Sequence, residues 1–359
     1  NICQICRPIR SSALNGSCMM NSRRALYEAA ISSKDFEKIR HLAFEGLPET
    51  GDSSLRAVYW KILLRYLPTE KDKWAAFLTS KRAEYKLLVQ CVTVNPSETS
   101  HPDEKGHFET VDEDHHPLST NTSSPWSAFF KDKELVEQIN RDVLRTHPDL
   151  HMFSQESHRD ALKRILLVYA KTSPVKYVQG MNEILAPIYY VFCSDTKSST
   201  AGDPEADSFF CLVGILADIG DRFSAKMDSS HVGVKGILLR LSTLLKRADH
   251  DLYYHMRRLK VSIQFFAFRW VTLLLSQELS LPDLLRVWDS VFAADSLAQR
   301  EDRFEFLLFI CCSMIIHVRE QLLAGDFATV IKTLQHYPPI DISIIIHEAV
   351  LLRDKLRNS

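Results

Sequence analysis

Glycine is scarce in this chain, 11 residues of 359, about 3% against a usual level near 7%. Doubly wound and all-β folds use glycine at tight turns, so the shortage points toward helices joined by polar loops. A basic excess is also missing. Lys and Arg total 44 against 45 Asp and Glu, for a formal net charge of −1, which argues against a dedicated nucleic-acid binder. Long apolar runs are missing as well. The longest, Phe306–Ile316 and Phe265–Leu275 with Arg269 inside it, fall short of the roughly 18 to 20 residues that cross a bilayer. They predict helices buried in a core, and no transmembrane segment is expected.

The usual signatures of self-contained catalysis are lacking too. There is no G-x-x-x-x-G-K-[ST], G-x-G-x-x-G, G-x-S-x-G or H-E-x-x-H, so neither a phosphate-cradling loop nor a hydrolase or zinc-protease centre is indicated. His347-Glu348 begins like a zinc motif, but Leu351 stands where the second histidine belongs. The Asp112–His116 run lies in polar text and reads as a solvated cluster. Eight cysteines are scattered along the chain. Cys3-x-x-Cys6 has ligand spacing without a second half. Cys211, Cys311 and Cys312 sit in apolar helical text and are expected to be buried thiols. This usage fits the cytosol better than a disulfide framework.

What is present is a globular composition, 45% hydrophobic and 25% charged, with helical periodicity over most of the length. Residues 1–31 show little pattern and are expected to form a flexible lead-in. Residues 32–359 are expected to form one all-α domain interrupted by a polar loop at about 93–125. Helices are expected over about Lys133–Arg145, Ser157–Lys171, Asn182–Cys193, Ala206–Phe223, Val234–Leu245, Phe265–Leu279, Leu284–Phe292, Phe304–Leu323 and Ile342–Leu356. Ser32-x-x-Asp35 predicts a helix start, and Gly46 a helix stop.

Two motifs carry chemistry. In Ile139-Asn-Arg-Asp142-Val-Leu-Arg145-Thr-His-Pro148, Pro148 disfavours helix at His147, so the helix should end near Arg145. Asp142, three residues earlier, can hold the guanidinium in one rotamer. In Tyr177-Val-Gln179-Gly180-Met181-Asn182, Gln179 falls in a tight inter-helix loop, and Gly180 leaves room for the approach of another backbone. An exposed amide offers a donor and an acceptor at once, which suits holding a water molecule. Taken singly, each motif is better read as an ordinary surface ion pair or an ordinary loop glutamine. Taken together, with one helix between them, they can bring an arginine and a water-positioning glutamine to one surface. That pair is what completes a GTPase site in trans.

These motifs, in this order and separation, resemble the arginine-finger and glutamine-finger motifs of the TBC-domain Rab GTPase-activating proteins. Leu55-Arg56 with Trp60 resembles the family's opening helix, and Arg286-Val-Trp288-Asp289 a later structural motif. The likeness runs from about Gly46 to at least Leu323. It implies a V-shaped multi-helix domain of two helical subdomains that binds a Rab-family small GTPase in its GTP-bound form. It also implies roles: Arg145 and Gln179 as the catalytic fingers, Asp142 orienting Arg145, and Tyr177, Gly180 and Met181 shaping the finger loop. The glutamine would replace the one the Rab itself carries. GTP and Mg²⁺ would belong to the partner, and no cofactor of the chain's own is implied. The implied setting is vesicle trafficking from the cytoplasm, with peripheral membrane association through partners. Lys176 departs from the glycine that many relatives carry before the tyrosine, but both fingers remain. The competing readings are a non-catalytic helical Rab-binding scaffold or effector, and a small-molecule enzyme with an enclosed pocket.

Overall fold

The computed structural model describes residues 16–48, 55–93, 125–219, 233–294 and 304–357, and every regular element among them is helical. The helices α1 (Gly16–Ser32), α2 (Phe36–Phe44) and α3 (Leu55–Leu63) come first, and a 3₁₀ turn at Lys71–Lys73 leads into α4 (Trp74–Thr93). Next come α5 (Pro125–Arg145), the short α6 (His151–Ser154), α7 (Glu156–Thr172), α8 (Met181–Ser194) and α9 (Pro204–Ile219). The second half holds α10 (Val234–Ala248), α11 (His250–Arg258), α12 (Gln264–Thr272) and α13 (Leu281–Ala293). It ends with α14 (Glu305–His317), α15 (Arg319–Ala324), α16 (Phe327–Gln335) and α17 (Ile342–Arg357).

Packing sorts these helices into two lobes. In the first, α4, α5, α7, α8 and α9 lie against one another. In the second, α10, α12 and α17 surround α14. The centre of that lobe follows from sequence: every residue from Phe306 to Ile315 is buried, as expected of a helix apolar on all sides. Between the lobes, α13 packs on α2, α3 and α17, while α3 also touches α8.

The joint is electrostatic as well as apolar. All nine residues of α3 are buried, two of them cations, and a buried cation must be paired. Arg56 donates to both carboxylate oxygens of Asp289 on α13. Trp60 Nε1 donates to the same carboxylate at 2.8 Å, and the Leu47 amide does so at 3.1 Å. Lys61 turns to the other lobe, where it lies 2.6 Å from Asp207 of α9. The two sequence stretches around Arg56 and Asp289 are therefore halves of one contact. Trp60 and Trp288 add a ring pair with centroids 5.8 Å apart. Burial pushes the Asp289 carboxyl up from its ordinary value, and the Arg56, Leu47 and Trp60 donors pull it back.

Several expectations need correction. The lead-in expected over 1–31 is helical from Gly16, because Tyr27, Ala30 and Ile31 form a buried stripe. The Tyr27 hydroxyl also donates to the Gly46 carbonyl at 2.9 Å. Asp35, not Ser32, caps the next helix, accepting from the Lys38 amide. The helix expected over Phe265–Leu279 stops at Thr272. Leu274 and Leu275 there take left-handed backbone, at φ 52° and 65°, and the Trp288 indole N–H binds the Leu274 carbonyl. The helix expected over Phe304–Leu323 breaks at Val318 into α14 and α15. Residues 1–15 and 94–124, and with them Cys3, Cys6 and the Asp112–His116 run, lie outside the described residues. Cys211, Cys311 and Cys312 are buried free thiols.

The glycine shortage shows at helix ends. Left-handed positions that glycine commonly fills are taken by Lys34, Arg65 and Lys260, at φ 57°, 60° and 60°. A cation there is partly compensated by the negative end of the helix dipole.

Candidate functional site

The arginine helix ends where its sequence requires. Thr146 closes the last turn of α5 on the Val143 carbonyl, and His147 takes φ 42° ahead of Pro148. Arg145 is thus the last residue of α5, with 66% of its side chain exposed. Its Nη2 donates to Asp142 Oδ1 at 2.8 Å and its Nε to the Arg141 carbonyl at 3.2 Å. A guanidinium carries five N–H groups, so three remain for a partner. Asp142 itself is 5% exposed. Its other oxygen accepts the Tyr177 hydroxyl at 2.8 Å. Burial and this carboxylate both push the Tyr177 phenol upward, so it stays a proton donor. One buried carboxylate therefore clamps the arginine on one side and the glutamine loop on the other.

His147 adds no cation here. Its ring stacks on Phe153 at 5.8 Å, and burial lowers its pKa, which favours the neutral form.

The glutamine loop runs from Ser173 to Gly180, between α7 and α8. Gln179 is exposed, and no hydrogen bond to another described residue uses its side-chain amide. Beside it Gly180 has φ 103°, a conformation that favours glycine. A Cβ there would lie 2.5 Å from Leu273 Cδ2. The space left by the missing side chain is filled by a leucine of the other lobe, not by an approaching backbone. Met181 is fully buried and anchors the start of α8, its sulfur accepting from the Val178 amide at 3.5 Å.

Asn182 is the residue that the motif reading passed over. Its Oδ1 accepts the Gly180 amide at 3.1 Å. Its Nδ2 reaches Thr146 Oγ1 at 2.9 Å, the Asp142 carbonyl at 3.4 Å and Glu183 Oε1 at 3.0 Å. One side-chain amide thus ties the glutamine loop to the end of the arginine helix. Glu183 is pushed above its ordinary carboxylate value chiefly by burial, against the pull of hydrogen bonds from Gln277 and Asn182.

Arg145 and Gln179 line one groove of about 690 Å³, which Val234, Phe268 and Leu273 of the other lobe close from across the gap. Phe268 is 53% exposed on its rim. The second guanidinium there, Arg269, is occupied by both oxygens of Glu278 and by the Gln335 carbonyl. Arg145 keeps three of its five N–H groups to spare, whereas Arg269 spends three of its five on these acceptors. No cluster of His, Cys, Asp and Glu suited to a metal occurs among the described residues. The groove can therefore offer a pre-oriented cation, a free amide and an apolar rim, and it lacks an evident nucleophile.

A family model for the Rab-GTPase-TBC domain matches residues 53–323. The chain is 34% identical to Homo sapiens TBC1 domain family member 13 over 96% of its own length and 99% of that protein's. The identity to the Mus musculus protein of that name is 35%, with the same coverage. Among solved structures it is similar to the Ypt/Rab-GAP domain of Gyp1p, with a TM-score of 0.72 and 26% identity, covering 94% of this chain and 99% of that one.

Proposed function

Since the chain belongs to the Rab-GTPase-TBC domain family, we propose that it accelerates GTP hydrolysis by a Rab-type GTPase through Arg145 and Gln179 supplied in trans. The observation that carries this reading is the pairing of two exposed, underused side chains in one groove, with buried Asp142 holding the arginine directly and the glutamine's loop through Tyr177. In phosphoryl transfer, charge builds on the oxygens around the transferred phosphorus, and the attacking water must be in line. The three unspent N–H groups of Arg145 suit that charge, and the Asp142 contact orders the guanidinium before the partner arrives. The Gln179 amide can accept a proton-side contact from water and donate to a phosphate oxygen at once. GTP and Mg²⁺ enter as ligands of the GTPase. The partner is proposed to be the GTP-bound form, because only there does the phosphate need these groups.

The open groove, with a two-thirds exposed arginine, gives no enclosed chamber for a small-molecule substrate. No described helix is long and apolar enough to cross a membrane, and we place the protein at the cytoplasmic face of membranes through its partner. The test is single-turnover hydrolysis against a panel of GTP-loaded Rabs. At least one Rab should be accelerated by the wild-type chain, and Arg145→Ala and Gln179→Ala should each abolish the acceleration with the fold intact. An Arg145→Ala protein as active as wild type rejects the mechanism. Binding to a GTP-loaded Rab without any acceleration identifies the protein as a scaffold.

A further inference from the structure

A second groove lies beside the first, and it carries no role in the mechanism above. It has a volume of about 520 Å³ and is formed by α10, α11 and the turn before α12. Lys235, Arg257 and Lys260 line it, and no Asp or Glu does. All three cations are exposed, and none has an ion pair or side-chain hydrogen bond among the described residues. Over the whole chain charge is nearly balanced, yet residues 234 to 264 hold seven Lys and Arg and only two acids, Asp249 and Asp251. Asp249 is already committed, capping the Leu252 amide and pairing with Arg319 at 2.7 Å. The groove is therefore a local excess of unneutralised positive charge. Its wall is apolar, with Tyr253 inside and Leu239 58% exposed at the edge.

The two grooves share their dividing elements. Val234 lines the finger groove and Lys235 the basic one. Along α12, Gln264 lines the basic groove and Phe268 the finger groove. Four helical residues span about 6 Å. A standard protein interface covers about 800 Å² on each partner, a patch nearly 30 Å across. A folded partner seated on the fingers therefore extends past Phe268 and over the basic groove.

We propose that the basic groove receives an acidic, apolar-tipped segment of the same GTPase that engages the fingers, and so helps to select which GTPase is bound. This rests on the reading of Arg145 and Gln179 as fingers. Charge complementarity at the edge of an interface acts on encounter rate and partner choice more than on the chemical step. The groove should thus govern kcat/KM while leaving kcat to the fingers.

The experiment uses the full chain with the GTP-loaded Rab that the panel shows to be most accelerated. The triple variant Lys235→Glu, Arg257→Glu, Lys260→Glu should lower kcat/KM about tenfold or more, with kcat at saturating Rab unchanged. The wild-type kcat/KM should fall as salt is raised, and the triple variant should lose most of that dependence. Lysine substitutions of acidic residues on the Rab should restore activity selectively to the triple variant. A Lys235→Gln, Arg257→Gln, Lys260→Gln variant gives the same readout if the glutamate version melts early. Unchanged kcat/KM and salt dependence in the neutral variant, with Arg145→Ala inactive, overturns this proposal and leaves the finger reading intact. A fully active Arg145→Ala protein removes both. Loss of binding to phosphatidylcholine vesicles containing about one-third phosphatidylserine, with kcat/KM unchanged, overturns it in favour of a membrane contact.

Discussion

The Asp142 carboxylate has two oxygens with two different tasks, and single substitutions should separate them. Oδ2 accepts the hydroxyl of Tyr177, a bond buried on both sides. A buried hydrogen bond to a charged group is worth about 1.5–3 kcal/mol. Oδ1 accepts Arg145, whose side chain is two-thirds exposed. An ion pair so open to water contributes about 0–1 kcal/mol. Tyr177→Phe should therefore cost more stability than Arg145→Ala. At about 2–4 °C of Tm per kcal/mol for a sizeable domain, the phenylalanine variant should melt roughly 3–12 °C early. The alanine variant should melt within about 4 °C of wild type by the same scale.

The ranking inverts for catalysis. A trans-supplied arginine is worth about 10³–10⁵ in rate, or roughly 4–7 kcal/mol of barrier at 1.36 kcal/mol per decade. Arg145→Ala should lose that factor. Tyr177→Phe keeps the contact between Asp142 and Arg145 and should lose less than about tenfold in kcat, a cost near 1.4 kcal/mol. Asp142→Asn removes the negative charge that both Arg145 and Tyr177 bind and should show both defects together. Paired thermal melts and single-turnover hydrolysis provide the comparison. The division between the two oxygens is wrong if Arg145→Ala destabilises more than Tyr177→Phe, or if Tyr177→Phe is catalytically dead at saturating GTPase.

Gly180→Ala should cost about 2–4 kcal/mol, combining left-handed backbone with overlap against Leu273. It should also lower kcat by displacing Gln179; a melt and a turnover assay matching wild type would refute the packing argument. Trp288→Phe orphans the buried Leu274 carbonyl, at about 1–3 kcal/mol, and urea unfolding should show it. Asp289→Ala removes the carboxylate that pairs with buried Arg56 and should cost about 3–5 kcal/mol, again by urea unfolding. Burial raises the Glu183 pKa, so the folded chain holds that proton more tightly than the unfolded chain does. The penalty is absent below the unfolded carboxyl value of about 4.3 and full above the raised folded value. Glu183→Gln should therefore raise Tm at neutral pH, with the gain vanishing as pH falls below about 4; a gain independent of pH contradicts the assignment.

Much of the fold was legible because apolar periodicity is local. The run Phe306–Ile316 could be read as a buried helix from composition alone, and it is helical throughout and buried up to Ile315. Several of the failures were contacts at a distance. The helix past Thr272 looked continuous in sequence because Leu273–Leu275 carry no breaker. What ends it is the Trp288 indole taking a backbone carbonyl 14 residues away. The N-terminal helix was missed because the buried stripe among its described side chains, Tyr27, Ala30 and Ile31, is too short to stand out without its partners. Scarce glycine indicated helices correctly, but it also concealed helix ends, since Lys34, Arg65 and Lys260 give no sequence signal for left-handed backbone.

The site was legible in its residue types and opaque in its bracing. Arg145 and Gln179 follow from chemistry and spacing, whereas Asn182 acts through Thr146 and Asp142, 36 and 40 residues away. No spacing rule links an asparagine to a threonine at that separation. The role of Gly180 was misplaced for the same reason, because the side chain it admits is Leu273, from the opposite lobe. That contact has a mechanical consequence. Leu273 precedes Leu274, whose carbonyl is held by Trp288, and Trp288 precedes Asp289, the carboxylate that binds Arg56 and Trp60. The ion pair joining the lobes is thus connected, through two adjacent residues on each side, to the backbone that positions Gln179. On the proposed mechanism this joint acts on the finger loop: it keeps Leu273 in place beneath Gly180, so the backbone that carries Gln179 is set before the partner arrives.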